Sequence, residues 1–579
     1  MPLPESFFML SKGKDFAPPR SPTPTPTPTR CVTSAKTKLV TFVAALVVVS
    51  LVYTPPYRFF QQDEHLNERQ CRAPLPQFLD KQPPSSDHPA LRQAARHLDG
   101  ALTTHFIEND IDSIAVAVVT SEGSVYEGFW GALRANETDE DKRGVVDRQS
   151  IYRLASISKL FTALETFILR DRGVFNLDDS LDKLFPKLSH YGDDPITVRQ
   201  LMSHMSGLGR DWPPGNAEGV WPESLEGTGP PWYNGLPFPS DEEFMEGIIE
   251  YPLVAPPYTF PSYSNTGYSL LGLANVAANK KDEGNNAPAT HADLLHRDIF
   301  APLGLNGSSF VSSDANKANA AVASLFSEET DLDFGDATNP AGGQMSSLSD
   351  LVKLMQTLID PTRPERLLRP STVREWMKPM YAWWDEYSEV GALWEIYKFK
   401  DSFGKTLRQY QKLGELIGHH TAFTINPASS FGVIILTTGP TMQTDPLNKL
   451  VFSHFQPAFD VVAKELTSRL LVGKWTSADG HCVVSIAIEA GSLYVSEYSI
   501  NGTDVLRTIH PDGIPRPTAL WYTGGNKFRL AVGAPDTGCL FQWATLDQYA
   551  YSKGFATNHM QLVGYTLKLP AIGVDLKRV

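Results

Sequence analysis

The chain has 579 residues, of which 42% are hydrophobic and 20% are charged. This is the composition of a globular protein with a large core, so it excludes wholesale disorder and a multi-span membrane protein. The 51 Lys and Arg residues against 65 Asp and Glu give a net charge of −14, which argues against nucleic acid as the main partner.

The first 57 residues predict a tail followed by a membrane anchor. Residues 1–38 are rich in Lys, Arg, Pro and Thr, which is typical of a solvated tail without a core of its own. Residues 39–57 carry no charge, and as a helix they would cover roughly 28 Å, close to the thickness of a hydrocarbon core. We therefore expect a single transmembrane signal anchor, with a cleaved signal peptide as the alternative.

The distribution of charge around this apolar segment predicts its orientation. Basic residues before it outnumber those after it, so the rest of the chain should be luminal or extracellular, or secreted if the signal is cleaved. In an oxidising compartment one cysteine pair can form a disulfide, and we favour Cys482 with Cys539 because both fall in the last segment. Glycosylation sequons occur at Asn136, Asn306 and Asn501.

The remaining chain divides into a linker and two domains. A Pro-rich linker occupies residues 58–86, and residues 87–466 read as one α+β domain. Its first β-rich run, at 114–120, and its last strand pair, at 422–426 and 431–437, enclose helical patterns, so both ends should meet in one sheet. Short strands separated by turn signals then predict a small all-β domain at residues 467–579.

Ser156 and Lys159 form a Ser-x-x-Lys pattern at the start of an amphipathic run. Positions i and i+3 share a helix face, so the two side chains can touch. A serine hydroxyl becomes a nucleophile when a neighbouring base takes its proton, which a lysine can do if burial or a second cation lowers its pKa. The pattern occurs at three other places in the chain, but only the Ser156 copy opens a long helix with an apolar face.

Two further triplets follow in the chain. Tyr-Ser-Asn at residues 263–265 precedes a helical run, and there a phenol can relay a proton while an amide holds a substrate carbonyl or the lysine. Lys-Leu-Gly at residues 412–414 precedes the last strand pair. A cation on an edge strand, followed by a glycine that lets substrate backbone approach, fits a site that anchors an anionic group. The sequence has no HExxH, CxxC or Walker-type motif, so we expect no cofactor and no metal.

The order of these three motifs resembles that of the serine β-lactamase and penicillin-binding protein superfamily, specifically its class C β-lactamase and esterase branch. The resemblance covers about residues 88–465 and looks most like fungal, membrane-anchored β-lactamase-like proteins. It implies an antiparallel sheet flanked by helices beside a helical subdomain, with the active site between them. The implied catalytic residues are Ser156 as acylated nucleophile, Lys159 as its activating partner and Tyr263 as base or proton relay. The implied binding residues are Asn265, Lys412, Gly414 and Glu415, where the backbone N–H groups of Ser156 and Glu415 form the oxyanion hole.

Two residues depart from the family pattern. Leu413 replaces the usual hydroxyl residue, and Glu415 places a charge where a small residue is common. Both changes move the expectation away from β-lactams and cell-wall peptides. We expect a serine hydrolase that acts on a small-molecule ester or amide through an acyl-enzyme. The alternatives are an acyltransferase or transesterase in a fungal secondary-metabolite pathway, and a non-catalytic, membrane-tethered binding protein.

Overall fold

The structure is a computed structural model that describes residues 71–191, 194–533 and 538–579. The predicted tail, the predicted anchor at 39–57 and most of the first half of the linker lie outside the described residues. Across the described ranges, no helix is both long enough and apolar enough to cross a membrane.

An eight-stranded antiparallel sheet is the frame of the large domain. With the separate pair β3 and β4, its strands in chain order are β1 (Ser113–Thr120), β2 (Gly123–Gly131), β3 (Ile151–Arg153), β4 (Met345–Ser347), β5 (Pro379–Ala382), β6 (Ser388–Gly391), β7 (Glu395–Lys400), β8 (Thr406–Leu416), β9 (His419–Asn426) and β10 (Phe431–Thr438). The sheet order is β2-β1-β10-β9-β8-β7-β6-β5. Ile114 of β1 lies opposite Thr437 of β10. This confirms the prediction that the first and last strands of the large domain meet in one sheet.

Helices cover both faces of this sheet. They are α1 (Pro89–Glu108), α2 (Ser158–Arg172), α3 (Val198–Met202), α4 (Asp241–Gly247), α5 (Asn265–Glu283), α6 (His291–Leu295), α7 (Ala301–Leu303), α8 (Asp314–Lys317), α9 (Gly335–Thr338), α10 (Leu348–Ile359), α11 (Pro370–Trp376) and α12 (Thr444–Leu471). Alternate residues of β1 point to opposite faces: Ile114 and Val116 pack in the cluster with α1 and α12, and Ala115 packs with α2 and α10. Both strand faces are therefore apolar, as a sheet buried on two sides requires.

The last part of the chain forms an antiparallel barrel. The strands of this part are β11 (Gly473–Thr476), β12 (Cys482–Glu489), β13 (Ser492–Ile500), β14 (Thr503–Asp504), β15 (Thr518–Gly524), β16 (Lys527–Ala531), β17 (Tyr551–Ser552), β18 (Phe555–Ala556), β19 (His559–Val563), β20 (Thr566–Leu569) and β21 (Val574–Arg578), with helices α13 (Val505–Ile509) and α14 (Gly538–Thr545). Strands β17 and β18 form a separate pair outside the barrel sheet. Pairing of β12 with β13 closes the order β12-β11-β21-β20-β19-β16-β15-β13. Helix α12 runs through the predicted boundary at residue 466 and leads directly into this barrel.

The predicted disulfide between Cys482 and Cys539 was wrong. Cys539 is bonded to Cys71, and Cys482 is a free thiol buried in the barrel core. The start of the described chain packs against the barrel, where the Ser492 hydroxyl donates to the Ala73 carbonyl at 2.6 Å. The two bonded cysteines are 468 residues apart in sequence. The three sequon asparagines, Asn136, Asn306 and Asn501, are all exposed.

Candidate active site

Ser156 lies where the short strand β3 meets helix α2. A single 3-10 turn, Ala155–Ile157, joins the two elements. Ala155 adopts a left-handed conformation with φ of 49°, which a residue with a side chain rarely does. The turn therefore holds Ser156 at the beginning of the helix, with its hydroxyl at the wall of a cavity.

The hydroxyl of Ser156 is hydrogen-bonded to two of the predicted catalytic residues. Lys159 Nζ lies 3.0 Å from Ser156 Oγ, one helical turn away as the i, i+3 spacing predicts. The Tyr263 hydroxyl, just before α5, lies 2.7 Å from the same oxygen. The structure thus brings together side chains that are 107 residues apart in the chain.

Lys159 is fully buried and has three hydrogen-bond acceptors. In addition to Ser156 Oγ, it donates to Asn265 Oδ1 at 2.7 Å and to the Ala341 carbonyl at 2.5 Å. The Asn265 amide is in turn fixed by donating to Asp211 at 2.6 Å. Burial, and secondarily the nearby Lys412 cation, lower the pKa of Lys159. Asp211 belongs to no motif in the sequence, so only the structure shows that it orients Asn265.

Tyr263 lies between two cations. Lys159 Nζ and Lys412 Nζ are each 5.1 Å from the centroid of its ring. Burial alone would raise the pKa of Tyr263, but these two cations outweigh it and lower the pKa below that of an ordinary phenol. Such a phenol ionises more readily and can accept a proton from a neighbouring hydroxyl.

His204 supports the ring of Tyr263 and is not placed to act as a base. The two rings stack with centroids 4.6 Å apart, and His204 Nδ1 accepts the backbone N–H of Ser264 at 3.1 Å. Burial and the neighbouring cations Lys159 and Lys412 lower the pKa of His204 far below its usual range, so the imidazole stays neutral.

Lys412 lies on β8 and is paired with an acid that no motif predicts. Its Nζ contacts the carboxylate of Glu395 and also donates to the Leu413 carbonyl at 2.8 Å. The second oxygen of Glu395 accepts the Leu413 N–H at 3.2 Å. Burial would lower the pKa of Lys412, but Glu395 reverses the effect and raises it. Glu395 is brought here because it begins β7, which pairs with the part of β8 that ends at Gln411, one residue before Lys412.

Gly414 allows β8 to approach the nucleophile. A Cβ atom at this position would lie 2.2 Å from the Leu154 carbonyl oxygen and 3.2 Å from the Ser156 nitrogen, so only glycine fits. The Leu413 N–H points to the edge of β8 that extends beyond β7. Because amide directions alternate along a strand, the Glu415 N–H points to the same edge. This arrangement fits the predicted pair of oxyanion donors, Ser156 N–H and Glu415 N–H.

The side chain of Glu415 does not bring a free charge to the nucleophile. Its carboxylate contacts His420 Nδ1 at 2.5 Å and accepts the Thr444 hydroxyl at 2.6 Å, at the beginning of α12. Glu415 lines the cavity, but the acid in contact with Lys412 is Glu395.

The cavity in front of Ser156 has a volume of about 410 Å³. Part of its wall comes from the 207–240 loop, which contributes Trp212, Tyr233 and Phe238, and Phe334 completes an apolar surface. Arg210 of the same loop lies 5.0 Å from the Tyr263 ring and 3.6 Å from the Asp211 carboxylate. The loop therefore shapes the cavity directly, and the volume suits a small-molecule substrate.

Comparison with known proteins gives a consistent assignment. The β-lactamase family model matches residues 91–453. Beta-lactamase-like protein str6 of Strobilurus tenacellus is 39% identical over 304 residues, which are 50% of this chain and 99% of that protein. Beta-lactamase-like protein str5 of the same organism is 46% identical over 227 residues, 37% of this chain and 81% of that protein. A solved β-lactamase/D-alanine carboxypeptidase from Yersinia pestis shares the fold, with a TM-score of 0.50 at 22% identity, covering 65% of this chain and 99% of that one.

Proposed function

This chain belongs to the β-lactamase family, and from that premise we propose that it is a serine hydrolase that cleaves a small-molecule ester or amide through an acyl-enzyme on Ser156. One observation carries the proposal. The Ser156 hydroxyl lies within hydrogen-bond distance of both the buried Lys159 and Tyr263, at the wall of a cavity.

The contacts of Lys159 support a division of roles between the two residues. An ammonium group has three N–H donors, and Lys159 has three acceptors in Ser156, Asn265 and Ala341. It therefore acts as a fixed cation, and Tyr263 acts as the base. The Tyr263 phenolate takes the Ser156 proton as Oγ attacks the substrate carbonyl, and the new oxyanion is held by the N–H groups of Ser156 and Glu415.

Tyr263 also serves in the remaining steps, which are departure of the leaving group and hydrolysis of the acyl-enzyme. Tyr263 gives its proton to the leaving group, which departs and leaves the acyl ester on Ser156. A water molecule then attacks the carbonyl of this ester while Tyr263 takes one proton of the water. The bond between the acyl carbon and Ser156 Oγ breaks, Tyr263 returns the proton to Oγ, and the carboxylic acid product leaves. An alcohol or amine in place of water gives acyl transfer, so product analysis with and without an acceptor separates hydrolase from transferase.

The test of this proposal is covalent labelling and turnover of the full chain. We expect a fluorophosphonate to add one adduct, and p-nitrophenyl esters to be hydrolysed. Ser156→Ala should abolish both while leaving the thermal transition unchanged. Ser180→Ala is the matched control, because Ser180 begins another Ser-x-x-Lys copy outside the cavity. Unchanged turnover in Ser156→Ala would overturn the proposal.

We also propose that the folded part lies in an exported, oxidising compartment. The disulfide between Cys71 and Cys539 supports this placement, because such bonds are rare in the cytosol. The exposed sequon at Asn136 adds a direct test. On protein from a eukaryotic host, an endoglycosidase should lower the mass, and trapping of free thiols should modify Cys71 only after reduction. Free Cys71 in cells would contradict the placement.

A further inference from the structure

The cation that a substrate carboxylate would approach is already paired within the protein. Lys412 is only 2% exposed, and its ammonium group contacts Glu395. The same carboxylate accepts the Leu413 N–H. Glu395 thus satisfies both the charge and the first free donor at the edge of β8, which are the two features that would otherwise hold an anionic group.

The strand register explains why Glu395 reaches this position. Strand β7 begins at Glu395, which pairs with Gln411, whereas β8 continues to Leu416. Residue 395 therefore stands at the point where the edge of β8 becomes open to the cavity. Its carboxylate covers the Leu413 N–H but leaves the Glu415 N–H free for the oxyanion.

The other charges of the cavity wall do not supply a replacement cation. Among the described residues that line it, the cations are Arg210 and Lys412, and the acids are Asp211, Glu395 and Glu415. Arg210 lies 3.6 Å from Asp211, so each lining cation has an acidic neighbour. Lys159, behind Ser156, is already engaged by its own three acceptors. The acid that contacts Lys412 is Glu395, so a second carboxylate beside this pair would meet like charge in a partly desolvated site.

We propose that Glu395 is a specificity-determining residue that restricts the enzyme to esters or amides without a carboxylate on the side of the scissile carbonyl that faces Lys412. An anionic group there would have to displace Glu395 from Lys412 and leave that acid unpaired beside it. An uncharged group avoids this penalty. The inference rests on the proposed hydrolase function and names the substrate class of the same site.

The experiment compares two p-nitrophenyl esters of matched chain length on the full chain. One is p-nitrophenyl valerate, and the other is mono-p-nitrophenyl glutarate, which ends in a carboxylate. We expect wild-type protein to favour the neutral ester in kcat/KM by about tenfold or more. In Glu395→Gln the preference should fall by about tenfold, mainly through a lower KM for the acidic ester.

The result is read as the ratio of kcat/KM for the neutral ester to that for the acidic ester, and it is compared with a matched control variant. Glu386→Gln removes an exposed acid that does not line the cavity, so both activities and their ratio should remain unchanged. Using a ratio cancels a general loss of folded protein in the Glu395 variant. Equal turnover of the two esters by the wild type would overturn this inference and leave the hydrolase intact. Absence of turnover and of Ser156 labelling would overturn both.

Discussion

The site around Ser156 and the interior of the C-terminal barrel are both buried, yet they are built from opposite kinds of residue. The barrel encloses apolar side chains such as Val484, Leu530 and Leu567, none of which is exposed. The site buries the two cations Lys159 and Lys412, each of which has several polar partners. A buried charge is tolerated only with such partners, so their presence marks a region kept for chemistry, whereas the barrel interior is kept for stability.

Apart from loss of the nucleophile itself, the largest effect should come from removing the buried cation Lys159. Lys159→Met keeps the side-chain volume but removes the charge beside Ser156 and Tyr263. We expect kcat/KM for ester hydrolysis to fall about 10³-fold or more, because the lowered pKa of Tyr263 depends on this cation. Steady-state kinetics measure this. Lys183→Met, in another Ser-x-x-Lys copy, serves as the control. Nearly full activity in Lys159→Met would contradict the view that the buried charges of the site serve chemistry.

A change in the barrel should have the opposite signature. Leu567→Ala leaves a cavity in the apolar cluster and should lower the free energy of unfolding by about 2–5 kcal/mol. Activity per folded molecule should not change, since Leu567 does not line the cavity at Ser156. Denaturant unfolding monitored with activity measures both quantities. Tyr565→Ala, at a position that is 79% exposed, is the control and should have little effect on either.

The smallest expected effect is on stability, and it concerns Glu165, a buried acid in α2. Both carboxylate oxygens of Glu165 lack hydrogen-bond partners among the described residues, whereas its neighbour Asp298 is held by Arg172 and Arg297. Burial, with Asp298 nearby, raises the pKa of Glu165 well above its usual range. The folded state therefore favours the protonated form of Glu165 more than the unfolded chain does. The favourable contribution of Glu165 is complete below the pKa of an unfolded glutamate and is lost as the pH rises through the folded value.

Glu165→Gln should remove this pH dependence. At pH 7 to 8 the variant should be more stable than the wild type by on the order of 1 kcal/mol, and near pH 4 the two should be nearly equal. Urea unfolding across this pH range measures the difference, with Glu122→Gln in the exposed β1–β2 turn as control. A variant less stable than the wild type at every pH would show that Glu165 is ionised and paired.

Local spacing and motif order predicted the part of the site that depends on them. The i, i+3 relation placed Lys159 against Ser156, and the order of motifs placed Tyr263, Asn265 and Lys412 in the same cavity. The meeting of the first and last strands of the large domain also followed from their apolar runs.

Contacts set by strand register and long-range packing could not be predicted in this way. Glu395 reaches Lys412 because of where β7 begins, and nothing in the sequence around it indicates that pairing. Asp211 lies in a loop whose conformation the residue types do not determine. The prediction of the disulfide failed for the same reason. Proximity in sequence favoured pairing of Cys539 with Cys482, whereas the folded chain brings Cys71 to Cys539.

The most direct test of the central claim is to trap the acyl-enzyme during turnover. The full chain would be mixed with a p-nitrophenyl ester, quenched in acid within milliseconds to seconds, digested and analysed by peptide mass spectrometry. The account predicts that the peptide containing Ser156 gains the mass of the acyl group, and that this adduct is absent in Ser156→Ala. Turnover without an adduct on Ser156, or with the acyl group on another residue, would contradict it.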